Sequence, residues 1–385
     1  MRQHNTGAKT RKESKKETSK SSGKRARKSA KRPQEAITIG LDLGDKTSCY
    51  CALDEAGEVL FERSAATSKK GLAQAFGALA RCRIALEVGG HSPWVSRLLK
   101  SFGHEVIVAN ARQVKLITQS SRKNDKLDAQ SLARLARLDP QLLRPIQHRS
   151  EEAQQDLMAI RARAILVETR TALINSARGL VKAMGERLPA CDADCLDADY
   201  LQGMPANLRQ VLTPLLEEVE ALTKKIHCYD EQIEQIARTK YPETKLLQQV
   251  SGVGTLIAVT FVLTLEDPAR FGKSRDVGCY VGMRPKSRAS GESNPQLGIS
   301  KEGDVYLRKL LVQGAHYILG RRAPDTDLQR WGWKLCARGG KNARKRAVVA
   351  VARKLGILLH RLWVTGERYE PLRNSQAAQR KRQAA

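Results

Sequence analysis

At 385 residues, with 41% hydrophobic and only 4% aromatic side chains, the chain has room for two or three modest domains but not for one very large core. The formal net charge is +28, and residues 1–35 hold 13 Lys and Arg against three Glu, which leaves +18 on the remainder. Charge of this kind points to a polyanion, nucleic acid first, bound through counterion release; the longest apolar stretches, such as Leu256 to Leu265, are far too short to cross a membrane, and the polar, basic start is unlike a signal peptide.

Residues 1–35, rich in Ser and basic groups and poor in apolar ones, cannot bury a core and are expected to form a disordered basic tail. After Pro33 the run AITIGLDLGDKTSCYCALDEAGEVLFERSA alternates apolar residues around a turn-like EAG, which predicts three short strands in hairpin succession. Helical spacing follows in KKGLAQAFGALA, then a strand in CRIALEV, a helix in SPWVSRLLKSFG, a strand in HEVIVAN and helical segments from Ala111 to Leu138. The order β-β-β-α-β-α-β-α reads as an α/β domain of the ribonuclease H type over 36–140.

From 150 to 188 and from 206 to 240, Leu, Ile and Val recur at three- and four-residue steps, and Pro189 to Pro205 interrupts the run. Two long helices are expected to pair antiparallel as a hairpin or coiled coil over 150–240, serving as a spacer or dimerisation arm. From Tyr241 the pattern changes to LLQQVSGVGTLIAVTFVLTL and further helices, which predicts a compact all-α domain over 241–365; the basic tail at 366–385 is expected to fray after Tyr369. Of the eight cysteines, Cys49, Cys51, Cys82, Cys279 and Cys336 stand singly in apolar or basic surroundings, and Cys191 with Cys195 has no second half, so reduced thiols are expected rather than a zinc site or disulfides.

Acids stand where chemistry could use them. Alternation in AITIGLDLG places Ile37, Ile39 and Leu41 on one face and Thr38, Gly40 and Asp42 on the other, so Asp42 projects from an apolar strand, where an uncompensated charge is expensive. Glu87 ends the strand CRIALEV, and Gly89 and Gly90 after it admit close approach to the backbone. Asp125 and Asp128, three apart at a helix start, share a face. Singly, each reads as a loop acceptor or a helix-dipole acid. Together, the four could converge, and like charges so close repel unless divalent cations neutralise them. Two Mg²⁺ ions would do so and could clamp both oxygens of a phosphodiester undergoing displacement. Asp45 is an alternative member, though its place beside Lys46 suits a turn.

The later stretch VGMRPKSRASGESNPQLGISKEGDVYLRKLL has the composition of a phosphate-approaching loop: small residues admit the backbone, and Arg284, Lys286, Arg288, Lys301 and Arg308 supply positive charge. Residue chemistry does not choose among its serines, for which no paired base is visible; Ser300 suits a helix cap. The GVG of VSGVGTLIAV is either a tight helix-helix turn or a hairpin whose amides contact a phosphate.

In order along the chain, IGLDLGDKT, ALEVGG, NDKLDA, SGVGTLIA and GMRPKSRASGESNPQLGISKEGDVYLRKLL resemble the insertion-sequence transposases that combine a DEDD domain with a C-terminal serine, relatives of the pilin-gene invertase. The resemblance covers about 36–365. It implies a RuvC-like domain with Asp42, Glu87, Asp125 and Asp128 as catalytic Mg²⁺ ligands, and a helical transposase domain whose nucleophile falls on Ser290, with Ser287 and Ser293 close by. It also implies DNA strand exchange through a phosphoserine link, a homo-oligomer, a tetramer, in which domains of different subunits meet, and a noncoding bridge RNA that pairs with target and donor DNA. The expected location is the bacterial cytoplasm, at the nucleoid. Two other readings use the same acids and charge: a Mg²⁺-dependent nuclease resembling Holliday-junction resolvases, and a noncatalytic nucleic-acid-binding protein. A covalent protein–DNA adduct separates the first reading from both.

Overall fold

The computed structural model describes residues 37–110, 125–288, 290, 291, 293, 295 and 297–376, which divide into two compact units on either side of Gln147 and His148. The tail expected at 1–35 and the end of the tail expected at 366–385, from residue 377 on, lie outside the described residues, as does the 111–124 part of the helical stretch expected from Ala111.

The first unit is a five-stranded sheet in the order β3-β2-β1-β4-β5, with β1 Thr38–Asp42, β2 Thr47–Leu53, β3 Val59–Ala66, β4 Arg83–Glu87 and β5 Glu105–Ala109. The first three strands are antiparallel, and β1, β4 and β5 run parallel. The meander and the strand-helix alternation are thus the elements that the spacing predicts. Ile39, Leu41, Tyr50, Ile84 and Leu86 pack on one face against Leu72 and Phe76 of α1 (Lys69–Phe76) and Val95 and Leu99 of α2 (Ser92–Ser101). The opposite face carries Cys51, Leu53, Ala85, Ile107 and Ala109 and is covered by α3 (Asp125–Leu138) through Ala129, Leu132, Ala133 and Ala136. β1 is buried on both faces up to Asp42.

Gly40 explains how α3 fits. A Cβ there would stand 1.9 Å from the Ala129 carbonyl oxygen and 2.5 Å from the Ala133 nitrogen. Glycine on the strand and alanines on the helix let the two backbones meet at a distance that larger side chains forbid.

The second unit begins with two long antiparallel helices, α4 (Glu151–Ala183) and α5 (Ala206–Lys240). Their far ends close in an apolar knot of Ile174, Ala177 and Val181 with Leu188, Leu196, Leu201 and Met204. At the near ends Ala153, Leu157, Ile160, Ile233 and Ala237 pack on Val259 and Leu263. The last two belong to α7 (Thr255–Leu265), which follows the short α6 (Thr244–Leu247). Every residue of α7 from Ile257 on is buried, so an apolar run without amphipathic period becomes the central helix. Around it pack α8 (Arg275–Tyr280), α9 (Val305–Ile318), α10 (Asp327–Cys336) and α11 (Ala343–Thr365). Residues 370–376 depart from the expected fraying: the Asn374 amide and the Ser375 hydroxyl both donate to the Asp327 carboxylate, and the Asp327 amide donates to the Pro371 carbonyl. No helix among the described residues is long and apolar enough to cross a membrane.

Candidate active site

Both parallel strands β1 and β4 finish on an acid, Asp42 and Glu87. Their register pairs Leu41 with Leu86, so the two acids continue adjacent strands at the same edge and on the face covered by α3. α3 runs against those strands: the Ala136 carbonyl accepts from Arg83 at the start of β4, and Ala129 and Ala133 lie over Gly40 in mid-strand. One turn earlier, Asp125 and Asp128 continue the packed face toward the carboxyl ends of β1 and β4.

The convergence shows in the electrostatics of Asp42. Its carboxyl is pushed up from 3.8 to about 6, by partial burial first and then by the negative charges of Asp125, Asp128 and Glu87; a hydrogen bond from the Leu43 amide works the other way. All four predicted acids therefore contribute to one negative field. Oxygen-only donors of this kind suit a hard divalent cation. The acids act on one another through space without forming a finished cage: among the described residues, no three His, Cys, Asp or Glu side chains stand at metal-holding distances. Asp45 faces elsewhere. Its Oδ1 is 3.4 Å from His91 Nε2, while the Trp94 indole N–H donates to His91 Nδ1 at 3.1 Å, which leaves the imidazole proton on the nitrogen facing Asp45. Gly89 and Gly90 have open space where their Cβ atoms would stand.

Cys49, expected in apolar or basic surroundings, is partly buried near Lys126 but also lies opposite Asp42 in the antiparallel pair. Burial raises its thiol pKa first, and Asp125 and Asp42 raise it further. Gly40 and Cys49 are the site residues that sequence reasoning passed over. A signal existed for Gly40, an isolated glycine inside a strand, which often marks close backbone approach.

In the second unit, residues 282–286 and 298–303 pair as the two sides of a short hairpin. Lys301 and Ser300 donate to the Gly282 and Arg284 carbonyls, Lys286 donates to Gly298, and Pro285 pairs with Ile299. At the tip, Ser290 and Ser293 exchange amide-carbonyl bonds of 3.0 Å, and Gly291 turns the chain at φ 56°. Ser290 is exposed. Glycine is also required at the base, where a Cβ on Gly282 would meet the Glu302 oxygen at 2.0 Å and one on Gly303 the Tyr280 oxygen at 1.9 Å.

Of the predicted basic set, Arg284, Lys286, Arg288 and Lys301 are exposed, whereas the Arg308 guanidinium donates to the Val281 and Glu302 carbonyls at 2.9 and 2.7 Å. Arg308 thus clamps the hairpin base. Asp304, not Ser300, caps the following helix, accepting from the Leu307 amide at 2.8 Å, and the Arg161 guanidinium donates to the same carboxylate at 2.5 Å. An aspartate satisfies both the free helix amides and the arginine, which a serine would not. In the VSGVGT turn, Gly252 takes φ 83° and Gly254 precedes α7; Gln248, Ser251, Gln313 and Tyr317 help line a groove of about 460 Å³ there.

Residues 39–185 match the DEDD transposase domain of the IS110 type, and residues 244–329 match the Transposase IS116/IS110/IS902 family. The chain is 30% identical over 348 residues to the "Transposase for insertion sequence element IS1111A" of Coxiella burnetii, spanning 86% of this chain and 90% of that protein. It is 26% identical over 293 residues to the "Transposase for insertion sequence element IS1328" of Yersinia enterocolitica, spanning 74% and 84%.

Proposed function

Because this chain belongs to the IS116/IS110/IS902 family of transposases, we propose that it cuts and rejoins DNA at an insertion sequence with Ser290 as nucleophile and Asp42, Glu87, Asp125 and Asp128 as the ligands of Mg²⁺. The observation that carries the carboxylate half is the field at Asp42, raised by three other acids at the ends of parallel strands and one helix. The sheet order, with a meander leading into parallel strands, supports a RuvC-like domain of the ribonuclease H type. The serine half rests on the resemblance of the GMRPKSRASGESNP segment and on the exposure of Ser290 at a glycine-turned tip.

In this reading the Ser290 hydroxyl oxygen attacks a backbone phosphorus, forms a phosphoserine ester and displaces a sugar hydroxyl, which takes the proton the serine loses. Attack by the hydroxyl of another strand reverses the step and frees Ser290, so one phosphodiester is exchanged for another without water or a nucleotide. When bound, Mg²⁺ neutralises charge at the phosphate. Arg284, Lys286, Arg288 and Lys301 hold the flanking backbone, while Arg308 acts on the hairpin itself. The proposal includes assembly as a homotetramer, a coiled-coil role for the α4–α5 pair, sequence choice by a bridge RNA, and action on the bacterial nucleoid.

The test is to incubate the full-length protein with Mg²⁺, co-purified RNA and labelled element-junction DNA, denature, and look for label at the size of protein. Label present in the native chain and absent in Ser290→Ala is expected. Cleavage without such label would replace this reading with the resolvase-like nuclease, and neither cleavage nor adduct with any DNA would favour the noncatalytic one. Label that persists in Ser290→Ala and is lost in Ser287→Ala or Ser293→Ala would move the nucleophile along the tip.

A further inference from the structure

The turn from α10 into α11 carries charge that folding does not explain. α11 is a 23-residue helix whose first four residues include Arg344, Lys345 and Arg346, with no acid in its first turn. A helix N-terminus bears partial positive charge, so acids are favoured there and cations are not. Glu151 and Glu152 open α4 and Asp327 opens α10, and where α5, α7 and α9 lack such acids they do not start on three consecutive cations as α11 does. Arg338 and Lys341 extend the same charge back through the turn, giving five exposed cations within nine residues. None of the five has an ion-pair partner among the described residues, whereas nearby Arg330 pairs with Asp325, and Arg361 and Arg373 pair with Glu367.

We propose that Arg338, Lys341, Arg344, Lys345 and Arg346 form a second nucleic-acid surface, outside the 282–303 hairpin, that takes the phosphodiester backbone of a double helix. The cations that repel one another and the helix end become favourable once phosphates lie among them, because each then neutralises an anion and releases a counterion. Long side chains on consecutive positions of an exposed turn do not form a cup for a single small anion; they suit a row of phosphates. Contacts of this kind fix position and affinity and carry no sequence information. The surface depends on neither Ser290 nor the carboxylates, so it can stand or fall apart from the chemistry proposed above.

The experiment uses full-length protein without Mg²⁺, a 20-base-pair DNA duplex and a 20-base-pair RNA duplex in separate titrations across a salt series, and thermal melts. The variant is Arg344→Gln, Lys345→Gln and Arg346→Gln together; the control removes equal charge from exposed α5 positions by Arg209→Gln, Lys224→Gln and Lys225→Gln. The test variant should bind several-fold more weakly near 0.15 M salt, with a log–log salt slope shallower by about 2 to 3 on DNA. Its melting midpoint should hold or rise, since it loses cations from the positive end of a helix. Weakening confined to one duplex names the partner, and weakening on both assigns the surface to either. Unchanged affinity and slope on both duplexes, an equal loss in the control, or a fall in the melting midpoint overturns the proposal, the last by showing that these cations serve the fold.

Discussion

In the first unit, side chains assigned to the site end buried elements: Asp42 and Glu87 close parallel strands, and Asp125 and Asp128 open a helix pressed on Gly40. In the second, Ser290 stands at an exposed tip with open space where a Gly291 Cβ would stand, held by its backbone pair with Ser293 and by pairing farther down that Arg308 and the glycines at the base close. The acids are positioned by packing, so their geometry and the stability of their unit are one property. The serine is positioned by backbone hydrogen bonds, its own pair with Ser293 and those at the hairpin base, so its surroundings can change at little cost to the core.

The largest test of this contrast is chemical. Asp128→Asn should lower Mg²⁺-dependent strand cleavage by ~10³-fold while leaving salt-sensitive DNA binding intact, since phosphates are held by Lys and Arg. Activity within about tenfold of the native chain, a loss below ~1.4 kcal/mol of barrier, would end the metal-ligand reading. Next, Gly40→Ala should destabilise the first unit by about 1–3 kcal/mol, because backbone stands where the methyl would go. Gly291→Ala meets no atom and strains only a positive φ, so a melt should register no more than about 1 kcal/mol. Equal losses from the two glycines would mean that the acids and the serine are held in the same way.

An effect between those of the two glycines is expected from Arg308→Gln, which removes donors from two carbonyls at the hairpin base, roughly 1–2 kcal/mol. Limited proteolysis between 284 and 300 should quicken before the global melt moves much; a global loss without faster cutting would mean that Arg308 serves the bundle. The smallest concerns Asp42. Its native pKa, about 6, lies above the ordinary 3.8, so the native state binds the proton more tightly. The resulting stabilisation is complete below pH 3.8 and is lost as pH rises through 6. Without divalent cations, Asp42→Asn should therefore be more stable than the native chain above pH 6, by about 1 kcal/mol after solvent screening, with the gap narrowing toward pH 4. A gap that widens on acidification would show that the Asp42 charge is stabilised, not penalised, by its neighbours.

Much of the first unit is legible in the sequence because period-two alternation and strand-ending acids are local signals: Asp42 and Glu87 can be placed on strands from a few residues each. The approach of α3 to β1 is not local. It depends on Gly40 meeting Ala129 and Ala133 about ninety positions away, and it is what carries Asp125 and Asp128 to Asp42. Cys49 shows the same limit: nothing near it in sequence signals that Asp42, Asp125 and Lys126 meet it in space. In the serine segment, composition indicates a basic loop but not which cations are free. Arg308 looks like its neighbours in sequence, and only the carbonyls it meets distinguish it. Ser300 had the right residue type for a cap but stood four positions before Asp304, which also meets an arginine from α4.

The α4–α5 pair ends in a packed knot at its far end and is seated on α7 at its near end. With 33 residues in α4, the two ends stand about 50 Å apart. A partner that touched both the knot and the base would meet them at that set separation, about the length of fifteen stacked base pairs at two phosphate charges per 3.4 Å. Lengthening both helices by the same two turns would move that separation by about 11 Å without altering a residue at either end.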